Sequence, residues 1–222
     1  MPRPNFVWRR PKRGRKVFFI GFNKCGTKSL HELFEGSGYR SLHGRRKLLT
    51  GRKINLAQQF ARNIASGSPI LAGIAGGDVF SDLTSVSDTA VIEACLMFRQ
   101  LHQQYPDAYF VLNTRPMEHW IQSRLNHGNS TVGSFTQRYM RATGDTHEQV
   151  IERWRNLFLQ HHEDVRTYFK DKGRFLEFPI YGDVSALIEF VREDYSLRES
   201  KWRHLGKTTE REARRKRAIV QN

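Results

Sequence analysis

The stretch from Val17 to Leu30 constrains the fold of this chain more than any other. An apolar run, VFFIGF, ends in a short loop with asparagine, lysine, cysteine, glycine and threonine, and a helical pattern follows. The N–H groups at the start of a helix point outward at the positive end of the helix dipole, so they attract anions. Gly21 and Gly26 allow a tight turn and a close approach to a ligand, and Lys24 adds a cation. The stretch therefore predicts a strand, a phosphate-binding loop and a helix.

This loop differs from the Walker A sequence of P-loop kinases and ATPases, in which glycine, four residues and Gly-Lys-Ser/Thr follow in order. Gly21 and Gly26 have the required spacing, but Thr27 stands where the lysine should be, and Lys28 comes one residue later. A shift of one residue rotates a side chain about a helix by about 100°. Lys28 is therefore not expected to reach β- and γ-phosphates, and the loop suits a different phosphate ester.

Basic residues concentrate at the two ends of the chain, whose 222 residues carry a formal net charge of +15. Residues 1–16 contain seven Lys and Arg and no acid, while residues 207–222 contain six against two glutamates. We expect basic tails at 1–16 and 207–222 around one domain at 17–206. Such charge runs are usually solvated, and they suit peripheral contact with anionic surfaces.

The cysteines favour a reducing compartment. Cys25 and Cys95 are far apart and have neither metal-binding nor redox spacing, so a disulfide scaffold is not expected. The apolar run at 17–22 is too short for a signal peptide, and no stretch of the sequence is apolar for long enough to span a bilayer. We expect a cytoplasmic protein.

Apolar runs that alternate with helical patterns predict an α/β fold with a parallel sheet and helices on both faces. The predicted strands are 17–22, 39–43, 108–113 and 174–178, with 69–75 as a strand or a strand-like loop. The predicted helices are 27–36, 54–66, 88–104, 116–126, 146–170 and 184–192. Ligands of such sheets bind beyond the carboxyl ends of the strands. The loop at 21–29 and the turn at Thr114–Arg115 should therefore converge on one ligand.

A second informative stretch is YFVLNTRP, which places Arg115 at the end of a predicted strand, with Ser123 eight residues later. Arginine offers a fork of donors to a phosphate, and serine adds a hydroxyl donor. Together with the loop KCGTKS at 24–29, this pair resembles the sulfotransferases that use 3′-phosphoadenosine 5′-phosphosulfate (PAPS), in particular their small bacterial members. The likeness extends through Asp78–Asp82 and covers roughly residues 16–206.

The resemblance implies a P-loop-like sulfotransferase domain that moves a sulfuryl group in line from PAPS to an acceptor hydroxyl or amine, without a metal. Lys24 would stabilise the charge that develops on the leaving phosphate. The residues implied for the 5′-phosphosulfate are Lys24, Cys25, Gly26, Thr27, Lys28 and Ser29, and those for the 3′-phosphate are Arg115 and Ser123. A late basic segment at 201–207, which includes Lys207, is expected to close over the nucleotide.

The acceptor hydroxyl needs a general base, which the resemblance places after the first βα unit. Asp82 is the favoured candidate and Asp78 the second, with His43 and His127 as further alternatives. Each aspartate also suits a structural role in a loop or at a helix N-cap.

Two other functions stay open at this point. A P-loop kinase or NTPase would show magnesium-dependent ATP hydrolysis, and a non-enzymatic nucleic-acid-binding protein would show steeply salt-dependent binding. For a sulfotransferase, the acceptor could be a small metabolite, a saccharide, a lipid headgroup or a tyrosine side chain, and nucleic acid is not expected as a partner.

Overall fold

The structure, a computed structural model, describes residues 7–47, 53–128 and 134–203. The strands in these ranges are Val17–Phe19 (β1), Ser41–His43 (β2), Arg45–Lys47 (β3), Lys53–Asn55 (β4), Val79–Ser81 (β5), Thr84–Val86 (β6), Val91–Glu93 (β7), Tyr109–Thr114 (β8) and Phe175–Pro179 (β9). The α-helices are Thr27–Gly36 (α1), Leu56–Ala65 (α2), Phe98–Gln104 (α3), Met117–Leu125 (α4), Phe135–Thr143 (α5), His147–Phe169 (α6) and Val184–Val191 (α7).

Five strands form one parallel sheet in the order β2-β5-β1-β8-β9. The central strand is β1, in which Phe18 lies opposite Phe80 of β5 and Phe110 of β8. Because all five strands run in the same direction, their carboxyl ends meet at one edge of the sheet. The loop that follows β1 begins at this edge.

Alternate residues of β1 face opposite sides of the sheet, and both sides are apolar. Phe18 belongs to a core cluster that includes residues of α2, α3 and α6, whereas Val17 and Phe19 belong to a second cluster with residues of α1 and α7. Helices cover both faces, so the strand is a continuous apolar run with no polar alternation. The predicted parallel α/β sheet with helices on both faces is confirmed.

The predicted helix at 88–104 is wrong in its first half. Residues Val91–Glu93 form β7, which pairs antiparallel with β6. The N–H of Ser87 donates to the carbonyl of Ala90 at 2.9 Å and closes the turn between these strands. A 3-10 turn at Ala94–Met97 then leads into α3. The apolar spacing of this segment fits a helix or a strand, and the pairing with β6 decides between them.

Other short elements were not predicted. The hairpin β3–β4, the strands β5 and β6, and helix α5 have no counterpart among the predicted elements. Residues 69–75 contain turns and no strand. The short strands are three residues each, which is too short for a periodic pattern to emerge from the sequence.

The longest helix, α6, begins with a capping box. The Thr146 side chain accepts from the N–H of Gln149, and the Gln149 side chain accepts from the N–H of Thr146 at 2.8 Å. Its inward side buries Trp154, Phe158 and Phe169 in the core. Within the described ranges, none of the helices combines the length and the apolar character that crossing a bilayer requires.

Residues 7–16, which the charge pattern assigned to a basic tail, lie against the domain. Arg13 and Arg15 contact Glu193 at 3.1 and 2.9 Å, and Arg15 also contacts the buried Asp194 at 3.0 Å. The two acids come two and three residues after α7, and their ion pairs neutralise part of the charge of this segment. The remaining residues of the two predicted tails lie outside the described part of the chain.

Candidate functional site

The loop after β1 is fastened to the neighbouring strand β8 through Asn113. The N–H of Gly21 donates to Asn113 Oδ1 at 3.0 Å, and Asn113 Nδ2 donates to the carbonyl of Cys25 at 2.8 Å. A Cβ at position 21 would lie 1.9 Å from the Asn113 carbonyl oxygen, so only glycine allows the two strands to approach this closely. The first and last parts of the loop are thus held by one buried side chain.

Helix α1 starts from this loop with its N–H groups open to a ligand. Gly26 is the N-cap residue, with φ of 70°, and no side chain caps the helix. The first turn contains no acidic residue, and the first helical hydrogen bond runs from the N–H of Leu30 to the Gly26 carbonyl. The preceding N–H groups therefore have no partner within the helix, and the dipole favours an anion there. This end of α1 matches the predicted phosphate-binding loop.

Lys24 has a backbone conformation that is rare outside glycine. Its φ is 67°, and within the described ranges only Asp82 and Arg174 among the other non-glycine residues have positive φ values. Its Nζ atom lies 3.5 Å from His127 Nδ1. Backbone strain of this kind is found at functional sites, where the surrounding structure imposes it. The strained backbone of Lys24 and Asp82 marks both as candidates for a functional role.

The other predicted ligands of the loop differ in where their side chains lie. Thr27 and Ser29 are buried, and Thr27 Oγ1 lies 3.2 Å from His43 Nε2. The Lys28 side chain is 65% exposed and pairs with Glu32 at 3.8 Å, one helical turn further along α1. The Lys28 side chain therefore points along the solvent side of α1, and the structure does not bring it to the loop as the predicted ligand of the 5′-phosphosulfate.

Cys25 contributes its backbone to this loop. Its side chain is fully buried in the core, and burial raises the pKa of the thiol to about 12. The thiol is therefore protonated at neutral pH. Its carbonyl accepts the Asn113 hydrogen bond that holds the loop.

Arg115 brings the second predicted segment to the loop. It follows β8, and its Nη1 donates to the Lys24 carbonyl at 3.0 Å. Its Nη2 donates to the hydroxyl of Tyr181. The guanidinium group thus lies beside the glycine turn, with its buried Nε left without a hydrogen-bond partner among the described residues.

The structure gives less direct support for the remaining residues that were predicted to bind the nucleotide. Ser123 lies on α4, partly buried, about two turns from the start of that helix. Lys201 packs against Gly36 at the far end of α1, roughly 14 Å along the helix from the loop. The structure does not bring Lys201 to the loop, and Lys207 lies outside the described residues.

Asp82 and His43 form the opposite wall of the site. Asp82 directly follows β5, with φ of 57°, and its Oδ2 lies 3.7 Å from His43 Nδ1. Because the other ring nitrogen of His43 meets Thr27 Oγ1, this imidazole connects the phosphate-binding loop to the carboxylate. The same wall therefore joins residues of β2, β5 and α1.

The environment raises the pKa of Asp82 and keeps His43 neutral. Burial raises the pKa of Asp82 to about 6, against the opposing charges of Lys24, Arg124 and Arg45, although 28% of the side chain is still exposed. Burial also lowers the pKa of His43 to about 4. A carboxylate with a pKa near 6 is ionised at neutral pH and is still basic enough to accept a proton.

Asp78 lies at the other end of β5 from Asp82. It accepts a hydrogen bond from the N–H of Arg40 at 3.3 Å, beside the charge of Lys16. Since β5 is parallel to β1, this is the amino edge of the sheet. The structure does not bring Asp78 to Lys24, and its position does not support a role as the base.

This geometry agrees with a comparison of the sequence with known families. A model of the sulfotransferase domain matches residues 16–199. The chain belongs to this sulfotransferase family. It is therefore a transferase of sulfuryl groups, and the match includes the loop after β1, Asp82 and Arg115. A search of curated proteins found no match.

The sulfotransferase site depends on a buried arginine that sequence reasoning missed. Arg124 is fully buried, and its Nε donates to Asn23 Oδ1 at 2.9 Å, beside Lys24. Its Nη2 contacts Glu93 Oε1 at 2.6 Å, and the ring of Trp120 lies 4.3 Å from its guanidinium carbon. Arg124 thus holds the loop residue that precedes Lys24.

A sequence signal for Arg124 does exist. It follows Trp120 by four residues and Ile121 by three, so it lies on the apolar side of the sulfotransferase helix α4. A charged residue on such a side is buried only with a partner. Glu93 could not be recognised as that partner, because its segment was predicted to be a helix.

Metal-binding residues were not predicted for this sulfotransferase. Among residues 7–47, 53–128 and 134–203, no three His, Cys, Asp or Glu side chains gather in a way that could hold a metal ion.

Proposed function

We propose that the chain transfers a sulfuryl group from PAPS to an acceptor hydroxyl or amine and releases adenosine 3′,5′-bisphosphate. The observation that carries the proposal is the 3.0 Å contact between Arg115 Nη1 and the Lys24 carbonyl. It joins two anion-binding segments, 91 residues apart in sequence, around one space. A nucleotide with phosphates at both its 3′ and 5′ positions requires two such segments.

The donor would be held by both segments. The N–H groups at the start of α1, with the hydroxyls of Thr27 and Ser29, are suited to the 5′-phosphate. Arg115, whose guanidinium group lies beside the loop, is proposed to bind the 3′-phosphate, with Ser123 as its hydroxyl partner. Fixing both phosphates would hold the sulfuryl group in position for in-line attack.

In the transfer step, the acceptor oxygen forms a bond to sulfur while the bond between sulfur and the 5′-phosphate oxygen breaks. Negative charge develops on that phosphate oxygen, and the ammonium of Lys24 would stabilise it. The proton of the acceptor hydroxyl passes to Asp82, whose pKa near 6 suits it as a base at neutral pH. His43 would orient the Asp82 carboxylate, which lies 3.7 Å away.

The position of Lys28 disfavours the kinase alternative. A Walker-type lysine must reach the β- and γ-phosphates, and the Lys28 side chain is directed to solvent with Glu32 as its partner. The only lysine at the turn itself is Lys24, which precedes the second glycine.

Binding of adenosine 3′,5′-bisphosphate tests the donor. By calorimetry without metal, we expect Arg115→Ala to weaken this binding by about 10- to 100-fold, because charge-assisted hydrogen bonds to a phosphate are lost. Lys170→Gln is the matched control, since Lys170 is exposed and follows α6 at the amino edge of the sheet. Tighter binding of ATP with magnesium, or an unchanged affinity in Arg115→Ala, would contradict the proposal.

The pH dependence of the rate tests Asp82. Below a pH of about 6, the carboxyl is protonated and cannot accept the acceptor proton, so kcat/KM should rise about tenfold per pH unit and level off above it. Asp82→Asn should abolish this rise of kcat/KM with pH together with most of the rate, whereas Asp78→Asn should retain the rise. If the rise survives in Asp82→Asn, another group is the base.

A further inference from the structure

The hairpin β3–β4 begins and ends beside Asp82. Gly44, the residue before β3, donates its N–H to the Ser81 carbonyl at 3.0 Å and accepts from the N–H of Leu56 at 2.8 Å. A Cβ at position 44 would lie 2.7 Å from Asp82 Oδ2. Both ends of the hairpin are therefore anchored at the carboxylate that we propose as the base.

This hairpin segment is strongly basic. Positions 45–53 read RRKLLTGRK and contain no acid. The five basic residues are Arg45, Arg46, Lys47, Arg52 and Lys53. The backbone register places Lys47 opposite Lys53, so both strands of the hairpin carry basic residues.

The structure describes the side chains of two hairpin bases, Arg45 and Lys53, and both are exposed. Neither makes a salt bridge with a residue of the described ranges, although the charge of Arg45 acts on Asp82. Elsewhere on the surface, by contrast, exposed arginines pair with acids. The examples are Arg141 with Asp88 at 2.8 Å, Arg153 with Asp145 at 2.5 Å and Arg166 with Glu177 at 2.7 Å.

The charge of Arg45 acts on Asp82, the proposed base. Burial raises the pKa of Asp82, and Arg45 is one of three cations, with Lys24 and Arg124, that oppose the rise. Lys24 is half-buried beside His127, and Arg124 is buried beneath the loop. Of these three cations, Arg45 is the one with an exposed side chain, so it is the one that an acceptor can contact from solvent.

We propose that the acceptor carries its own anionic group, a carboxylate, sulfate or phosphate, which Arg45 and Lys53 of the β3–β4 hairpin bind while a hydroxyl of the same molecule lies at Asp82. The inference rests on the proposed function, because Asp82 is the base only if the chain transfers a sulfuryl group. The acceptor must therefore carry an anionic group and a hydroxyl in one molecule. An acidic saccharide and an anionic lipid headgroup both meet this requirement.

Two substitutions in the hairpin test the proposal. The probes are a sulfated oligosaccharide, its unsulfated counterpart, and vesicles with or without an anionic lipid, each with adenosine 3′,5′-bisphosphate present. We expect Arg45→Gln with Lys53→Gln to weaken binding of the anionic probe by about tenfold or more, while Lys170→Gln changes it less than about twofold. The effect should shrink as salt is added. Binding of the oligosaccharide alone would identify a saccharide source, and binding of the vesicles alone a lipid source.

The outcomes separate this inference from the proposed function. Equal binding of charged and uncharged probes, or equal losses in the hairpin variant and in Lys170→Gln, would overturn the inference. The affinity for adenosine 3′,5′-bisphosphate should be the same in all these variants. If the wild-type chain does not bind the bisphosphate, the proposed function fails, whereas a hairpin-dependent preference for the anionic probe still reports directly on the hairpin. In transfer assays, the hairpin variant should lose kcat/KM by a larger factor for the sulfated acceptor than for its unsulfated counterpart, whose rate reports the change of charge beside Asp82 alone.

Discussion

Lys24→Met is expected to lower kcat about 100- to 1000-fold, because removal of one preorganised donor from a developing negative charge typically costs that much. The ammonium acts on charge that appears only as the bond to sulfur breaks. The affinity for adenosine 3′,5′-bisphosphate should therefore fall much less than the rate does. Single-turnover transfer from PAPS measures the first quantity, and calorimetry measures the second.

Lys28→Met is the informative companion to this variant. It removes an equal charge from the next turn of the same segment, but its side chain lies on the solvent side of α1 beside Glu32. We expect its rate to fall far less than that of Lys24→Met. A larger loss in Lys28→Met would favour a Walker-type arrangement and would contradict the role given to Lys24.

Arg124→Met is expected to lower the free energy of unfolding by about 3–5 kcal/mol. The substitution leaves the Glu93 carboxylate buried, and within the described part of the chain its remaining hydrogen-bond partner is the Thr84 hydroxyl, which donates to it at 2.7 Å. An uncompensated buried charge is the costliest result of breaking an ion pair. Denaturant unfolding followed by fluorescence, with four tryptophans as reporters, measures the loss.

The double variant Arg124→Met with Glu93→Leu separates charge burial from packing. Replacing both partners removes the unpaired charge, so we expect it to recover about half of the lost stability or more. It should not recover the rate, because Asn23 still lacks the Arg124 hydrogen bond that holds it beside Lys24. A double variant as unstable as Arg124→Met would show that the aromatic contacts of the guanidinium, and not the ion pair, carry the stability.

The long elements were predictable because their signals are local. The predicted helix at 27–36 has the bounds of α1, and the predicted helix at 146–170 agrees with α6 within one residue at each end. In both, the apolar spacing alone fixes the helix and its buried side. The two anion-binding segments were found for the same reason, since glycine, lysine and arginine at strand ends have a recognisable order.

The short elements and their partners were not predictable in this way. The segment 91–93 has apolar residues that suit a helix, and only its pairing with β6 makes it a strand. Consequently, Glu93 could not be matched with Arg124, and the buried pair under the loop stayed hidden. The sequence favours Asp82 over Asp78, but their four-residue spacing does not reveal that a strand lies between them and places them at opposite edges of the sheet.

The order of residues along the chain was sufficient to determine the parallel α/β class, the phosphate-binding turn and the family. These properties depend on periodicity and on motifs within about 30 residues, which any chain segment carries by itself. Only the tertiary structure decided that Asp82, and not Asp78, lies at the same edge of the sheet as Lys24. It also decided that the Lys28 side chain points to solvent and that a basic hairpin is anchored at Asp82. Those relations are contacts between segments distant in sequence, and they exist only once the sheet places the strand ends at one edge.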